Sequence, residues 1–157
     1  MHRISVPIEI INLDEDGFHI FTQGYIEDIP CRILIDTGAS KSVIDASFSA
    51  LNLEYHDFEE NDRGATGIGA NNLQSKIVQI KHFQIGTYLH QNVICSVLPF
   101  DHVKETYLKI GIDPFDVILG MDILYSANAN IDLKNSEIVF ESEVGPQPHY
   151  FKGQISQ

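Results

Sequence analysis

Asp36-Thr37-Gly38 closes an apolar run, Cys31-Arg32-Ile33-Leu34-Ile35, and leads into Ala39-Ser40. An acid that emerges from a buried strand into a tight glycine turn is a costly placement, because burial disfavours the carboxylate unless a partner compensates. Such an acid suits proton transfer, and Asp36 has the chemistry of a general acid or base. Thr37 is β-branched and fits a strand end, and its hydroxyl can tie down the loop by hydrogen bonding. Gly38 lets the backbone turn sharply and leaves room for another group to approach. Read alone, the tripeptide is equally an ordinary surface turn.

Two further segments accompany it. Val117-Ile118-Leu119-Gly120-Met121-Asp122-Ile123-Leu124 is a second apolar run that ends in glycine and passes into a short helical pattern. Between the two lies Gly64-Ala65-Thr66-Gly67-Ile68-Gly69-Ala70-Asn71-Asn72, followed by strand-like sequence. In this order and spacing the chain resembles the retropepsin-like aspartic proteases: a D-T-G-A loop, a glycine-rich flap, then hydrophobic-hydrophobic-Gly before a helix. The motif set covers most of residues 31 to 126, and I-L-G-M-D-I-L looks more like the cellular and retroelement branches than the retroviral enzymes. The resemblance implies an all-β fold, a closed acid-protease barrel with one or two short helices and a flap hairpin.

It also implies a chemistry. Peptide hydrolysis by carboxylates uses two of them, one taking a proton from water and the other donating to the carbonyl oxygen. In this enzyme class the pair sits ~3 Å apart, cannot ionise twice, and splits its pKa values. The chain has one D-T-G and no second D-T/S-G; Asp122 and Asp132 lack the loop context. The second carboxylate therefore falls to Asp36 of another copy, which makes the expected active form a C2 homodimer acting on a polypeptide. By the same resemblance Asp36 is catalytic, Thr37 hydrogen-bonds across the dimer axis, and Gly38 faces the substrate backbone. Ala39 belongs to the supporting loop, and Gly120 lies beneath it, where a side chain would clash. Gly67, Ile68, Gly69 and Ala70 form the flap tip that closes over an extended peptide. The alternative is the same fold as a catalytically silent dimerisation or peptide-binding module.

The elements that position these residues read mostly as short strands with turn punctuation. Ile4 to Ile11 is one partly alternating run, and Phe18 to Gln23 pairs back with it around Asp14-Glu15-Asp16-Gly17. Tyr25 to Ile29 leads into the strand Arg32 to Ile35. Ser42 to Asp45 is a short strand, with Asp45 placed to cap a helix from Ala46 to Leu51. Glu54 to Asp62 is an acidic run expected as a solvated loop. Leu73 to Ile85 returns from the flap, turns at Gly86-Thr87, and continues as Tyr88 to Leu98. Asp101 to Lys109 is open between helix and loop. Met121 to Ser126 reads as helix, and Asn130 to Leu133 with Glu137 to Glu141 as a hairpin. Residues 1–143 then form the protease domain and 144–157 a C-terminal tail. Arg32 to Val43 and Asp116 to Leu124 echo each other, strand to glycine turn to short element.

Composition narrows the partners. Ten Lys and Arg against 22 Asp and Glu leave a net charge of −12, which repels nucleic acid and anionic membranes. No apolar stretch approaches the ~20 residues of a membrane helix, and the start has no secretory pattern, so the expected location is cytoplasmic. Cys31 and Cys95 fall in apolar sequence and are expected as reduced, buried thiols. The seven histidines show no i,i+4 pair and no H-E-x-x-H, and the glycines are not a phosphate cradle, so neither metal nor cofactor is expected.

Overall fold

Runs of β-branched residues become strand wherever the sequence alternates, but the first run splits. The computed structural model describes residues 1–53, 58–60 and 76–148. In it β1 is His2–Pro7 and β2 is Glu9–Asn12. The break expected of no single residue has a topological cause. Strand β2 pairs with β3 (Phe18–Ile26), whereas β1 pairs antiparallel with a strand near the other end of the chain, Glu137–Ser142. The chain changes sheets at Ile8, whose N–H donates to the Ser136 carbonyl.

The segment expected as a lead-in from Tyr25 to Ile29 is instead a tight hairpin. Strand β3 continues to Ile26, the chain turns at Glu27 and Asp28 with φ of 46° and 77°, and β4 (Ile29–Ile35) returns. β5 (Val43–Asp45) and helix α1 (Ala46–Asn52) follow. β6 (Phe58–Glu60) pairs antiparallel with β7 (Lys76–Ile85), which turns into β8 (Tyr88–Leu98). The open segment resolves as helix α2 (Asp101–Lys109). β9 (Val117–Leu119), α3 (Met121–Ser126), β10 (Asn130–Asp132) and β11 (Glu137–Ser142) complete the described chain.

Six strands close into a barrel in the order β3-β4-β9-β5-β8-β7 and back to β3. Closure depends on Gly24. It pairs with Ile85 in the β3–β7 seam, and a Cβ there would lie 1.9 Å from the Gln84 carbonyl oxygen. The barrel is filled by Ile26, Ile33, Ile44, Ile80, Phe83, Val117 and Leu119, all fully buried, each contributing about 2 kcal/mol by burial. The three-stranded sheet β1-β11-β10 adds Ile4, Val6, Ile138 and Phe140 to the same core. A second cluster of Leu13, Phe21, Phe100, Tyr107 and Phe115 packs α2 onto the barrel.

Asp45 does not cap α1 with its side chain. Its fully buried carboxylate instead accepts the Phe100 N–H and binds the Lys104 ammonium, so it fastens the start of α2 to β5. A buried charge requires such a partner, and that demand outweighs the cap. At the far end, Gln84 donates to the carbonyls of Gln147 and Pro148, and Gln147 N–H donates to Thr87, so residues 147–148 lie along the β7–β8 turn.

Candidate active site

Strands β4 and β9 run parallel, with Ile33, Leu34 and Ile35 opposite Val117, Ile118 and Leu119. Parallel pairing brings both strands to the same end of the barrel, and with them the two glycine turns that the sequence holds more than 80 residues apart. Asp36 N–H donates to Leu119 O at 3.0 Å, and Met121 N–H donates to Ala39 O at 2.8 Å. The two turns are thus stitched together through backbone on either side.

The Asp36 loop is a compact turn. Gly38 N–H donates to Asp36 Oδ1 at 2.8 Å, and Ala39 N–H donates to Asp36 O at 3.1 Å. Asp36 is half-buried, while Thr37 and Gly38 are exposed. The second carboxylate oxygen of Asp36 has no hydrogen-bond partner among the described residues. It remains available to water or to another proton-sharing group.

Gly120 is buried directly under this loop. A Cβ there would lie 2.7 Å from the carbonyl carbon and oxygen of Lys41 and 2.9 Å from Ala39 O. These are backbone atoms, which have no flexible end to move aside. Asp36, Thr37, Gly38, Ala39 and Gly120 are therefore brought together. Gly67, Ile68, Gly69 and Ala70 lie outside the described residues.

Two residues of this assembly carry no role in the sequence reading. Ser42, fully buried, donates its hydroxyl to Asp122 Oδ1 at 2.7 Å and accepts the Gly120 N–H at 3.0 Å. Its N–H lies 3.0 Å from both Asp122 oxygens, and Asp122 also accepts the Ile123 N–H. Asp122, considered above only as a second carboxylate, is a tie that holds the end of the Asp36 loop to the start of α3. Ser and Asp 80 residues apart leave no local signal, and it is the pairing of β9 with both β4 and β5 that makes them neighbours.

Neither thiol belongs to the chemistry. Both Cys31 and Cys95 are buried and free. Burial, with Asp116 adding to it, holds the Cys31 pKa well above the ordinary thiol value. Burial and then the Asp122 charge push Cys95 up to about 12. Neither is a thiolate at neutral pH. No group of three His, Cys, Asp or Glu among the described residues is arranged to hold a metal ion.

A protein-family model described as aspartyl protease matches residues 22–123. The fold is similar to the crystal structure of a retropepsin-like aspartic protease from Rickettsia conorii, with a TM-score of 0.53 and 16% identity over 88% of this chain and 90% of that one. It also matches the retroviral protease-like domain of Ddi1 from Leishmania major, at TM-score 0.49 and 18% identity over 78% of this chain and 94% of that domain. EIAV protease complexed with an inhibitor matches at TM-score 0.47 and 23% identity, over 72% of this chain and 91% of that one. No curated protein sequence matches the chain.

Proposed function

The chain belongs to the aspartyl protease family, and from that premise we propose that it is a homodimeric aspartic endopeptidase whose dyad is Asp36 from each of two copies. The observation that carries the reading is the placement of Asp36. It stands half-buried on a loop braced by two strand ends, with one carboxylate oxygen uncommitted. A lone carboxylate has no second proton-transfer partner, and no other D-T-G exists in the chain.

In this reading one Asp36 is ionised and its counterpart holds a proton. The ionised carboxylate takes a proton from water, and the water oxygen bonds to the scissile carbonyl carbon. The protonated carboxyl gives its proton to the carbonyl oxygen. The tetrahedral diol then collapses, the C–N bond breaks, and a proton passes to the departing nitrogen. Thr37 and Gly38, exposed beside the acid, meet the other copy and the substrate backbone; Ala39 and Gly120 hold the loop from below. The family resemblance assigns to Gly67, Ile68, Gly69 and Ala70, which lie outside the described residues, the role of closing over the peptide and excluding water.

The test is cleavage of a diverse peptide mixture between about pH 3.5 and about pH 7.5, wild type beside Asp36→Asn, with products identified by mass. Cuts made by wild type alone support the dyad, and activity should favour acid because one proton must be held. Cuts that persist in Asp36→Asn sink it. A folded, dimeric wild type that makes no cuts moves the silent peptide-binding module ahead. Specific activity should also fall on dilution, since each copy supplies half the site.

A further inference from the structure

The last described residues lie over the β3–β7 seam that closes the barrel. Gln84, 2% exposed, donates its side-chain amide to the carbonyls of both Gln147 and Pro148, and Gln147 N–H donates to Thr87 O. Thr87 lines a groove of about 500 Å³ on the outside of the barrel, whose walls include Tyr25, Pro30, Arg32 and Asp116. We propose that the next residues of the same chain, His149-Tyr150-Phe151-Lys152, continue into this groove as a strap over the seam, with Lys152 paired to Asp116. The groove is separate from the Asp36 site. Cys31 on its wall and Asp36 are five residues apart on β4, about 16 Å along an extended strand.

Register supplies the path. Tyr25 on β3 pairs with Gln84 on β7, and paired side chains of antiparallel strands stand on the same face. A chain held over Gln84 therefore has Tyr25, and the groove that Tyr25 lines, as its neighbour. The reach also fits. Strands follow in the order β7-β3-β4-β9, and Asp116 directly precedes β9, so it lies three strand spacings from Gln84, about 14 Å. Four extended residues beyond Pro148 span about 13 Å, and the lysine side chain covers the remainder. The seam has three register pairs, Gly24 to Ile26 against Phe83 to Ile85. Tyr150 and Phe151 would add apolar cover where that pairing is short.

Charge selects the partner within the groove. Asp116 is the one acid lining it, and its Oδ2 accepts the Arg32 N–H at 3.0 Å. Its Oδ1 accepts no hydrogen bond among the described residues. The Arg32 guanidinium is committed elsewhere: it binds Glu9 at 3.0 Å and the Asp113 carbonyl at 3.3 Å, and lies over the Phe21 ring. Asp116 is thus left to a cation from outside. Residues 149–157 carry one lysine and no acid, in a chain of net charge −12, so the field of the whole protein draws this segment inward.

Backbone NMR relaxation of the full chain tests the strap, with wild type beside Lys152→Glu and Lys134→Glu, the latter a like charge change on an exposed turn. In wild type and Lys134→Glu, amides 150–152 should show order parameters near the ~0.85 of rigid backbone, falling below ~0.6 in Lys152→Glu. The same variant should shift the amide signals of Tyr25, Arg32, Thr87 and Asp116 and leave those of Asp36 and Gly38 in place. Values below ~0.6 at 150–152 in wild type overturn the strap. So does a Lys152→Glu spectrum in which the groove amides do not move. Asp116→Asn keeps an acceptor for the Arg32 N–H, and should loosen 150–152 as Lys152→Glu does; unchanged order there rejects the pairing. Order lost on dilution would put the segment in another molecule's groove and likewise overturn the strap.

Discussion

Strands β4 and β9 leave the barrel side by side, yet the chain does opposite things at their ends. After β4 it opens outward: Asp36 is half-buried and Thr37 and Gly38 are exposed. After β9 it closes inward: Gly120 is enclosed by the backbone of Ala39 and Lys41, and α3 sends Ile123 and Leu124 into the core. The internal echo between Arg32–Val43 and Asp116–Leu124 is thus a pair of parallel neighbours with divided labour. One turn presents a functional group and the other supports it. The first should tolerate side-chain change without losing stability, and the second should not.

The largest expected effect breaks function on the presenting side alone. Asp36→Asn should lower peptide hydrolysis on the order of 10⁴-fold. Its melting temperature should move by no more than about 2 °C, because Asn Oδ1 still accepts the Gly38 N–H. Kinetics and thermal melts on the same sample check this, and a large fall in Tm would show Asp36 to be structural.

Gly120→Ala tests the supporting side. Its Cβ must displace main chain of the Asp36 loop, which should cost about 3 kcal/mol and lower Tm by about 10 °C. An unchanged Tm would remove the distinction between the two turns. Ser42→Ala is the next step down. It strands the buried Gly120 N–H and takes one donor from Asp122, at about 2 kcal/mol in denaturant unfolding. A loss of activity larger than that stability change accounts for would show Ser42 acting on the geometry of Asp36 as well.

The smallest effect concerns pH. Burial lowers the pKa of His90, and the Asp122 charge opposes it only in part. A histidine kept neutral in the fold but free to charge when unfolded adds stability that is complete above its unfolded value of ~6.5. That stability is lost as pH falls below it toward the lowered folded value. His90→Gln should therefore flatten the decline of Tm between about pH 7 and about pH 5. A steeper decline in the variant would reverse the assigned sign. The proposed chemistry favours acid while His90 disfavours it, so activity and stability should have different pH optima.

Much of this was legible in the sequence, for identifiable reasons. β7, β8 and α3 follow their apolar periodicity, because pattern and burial agree there. The Asp36 loop and Gly120 were visible because glycine at a strand end has a steric meaning that composition carries. Asp45 reads as a cap in the sequence because its partners, Phe100 and Lys104, lie 55 and 59 residues away. Ile4 to Ile11 reads as one strand because nothing local says that its two halves belong to different sheets.

The sequence by itself determined which residues have the means: one D-T-G acid at the end of an apolar strand, strands of the right length, and a charge of −12. Those are properties of residue type and near-neighbour order. Tertiary structure decided who stands beside whom. It placed Gly120 under Lys41, set Ser42 between Gly120 and Asp122, and left Tyr125 facing outward beside Thr37. Those adjacencies come from the pairing of β9 with β4 on one side and β5 on the other. Such a contact joins distant segments by backbone hydrogen bonds, which every residue makes alike, and so leaves no mark on the side chains that record it.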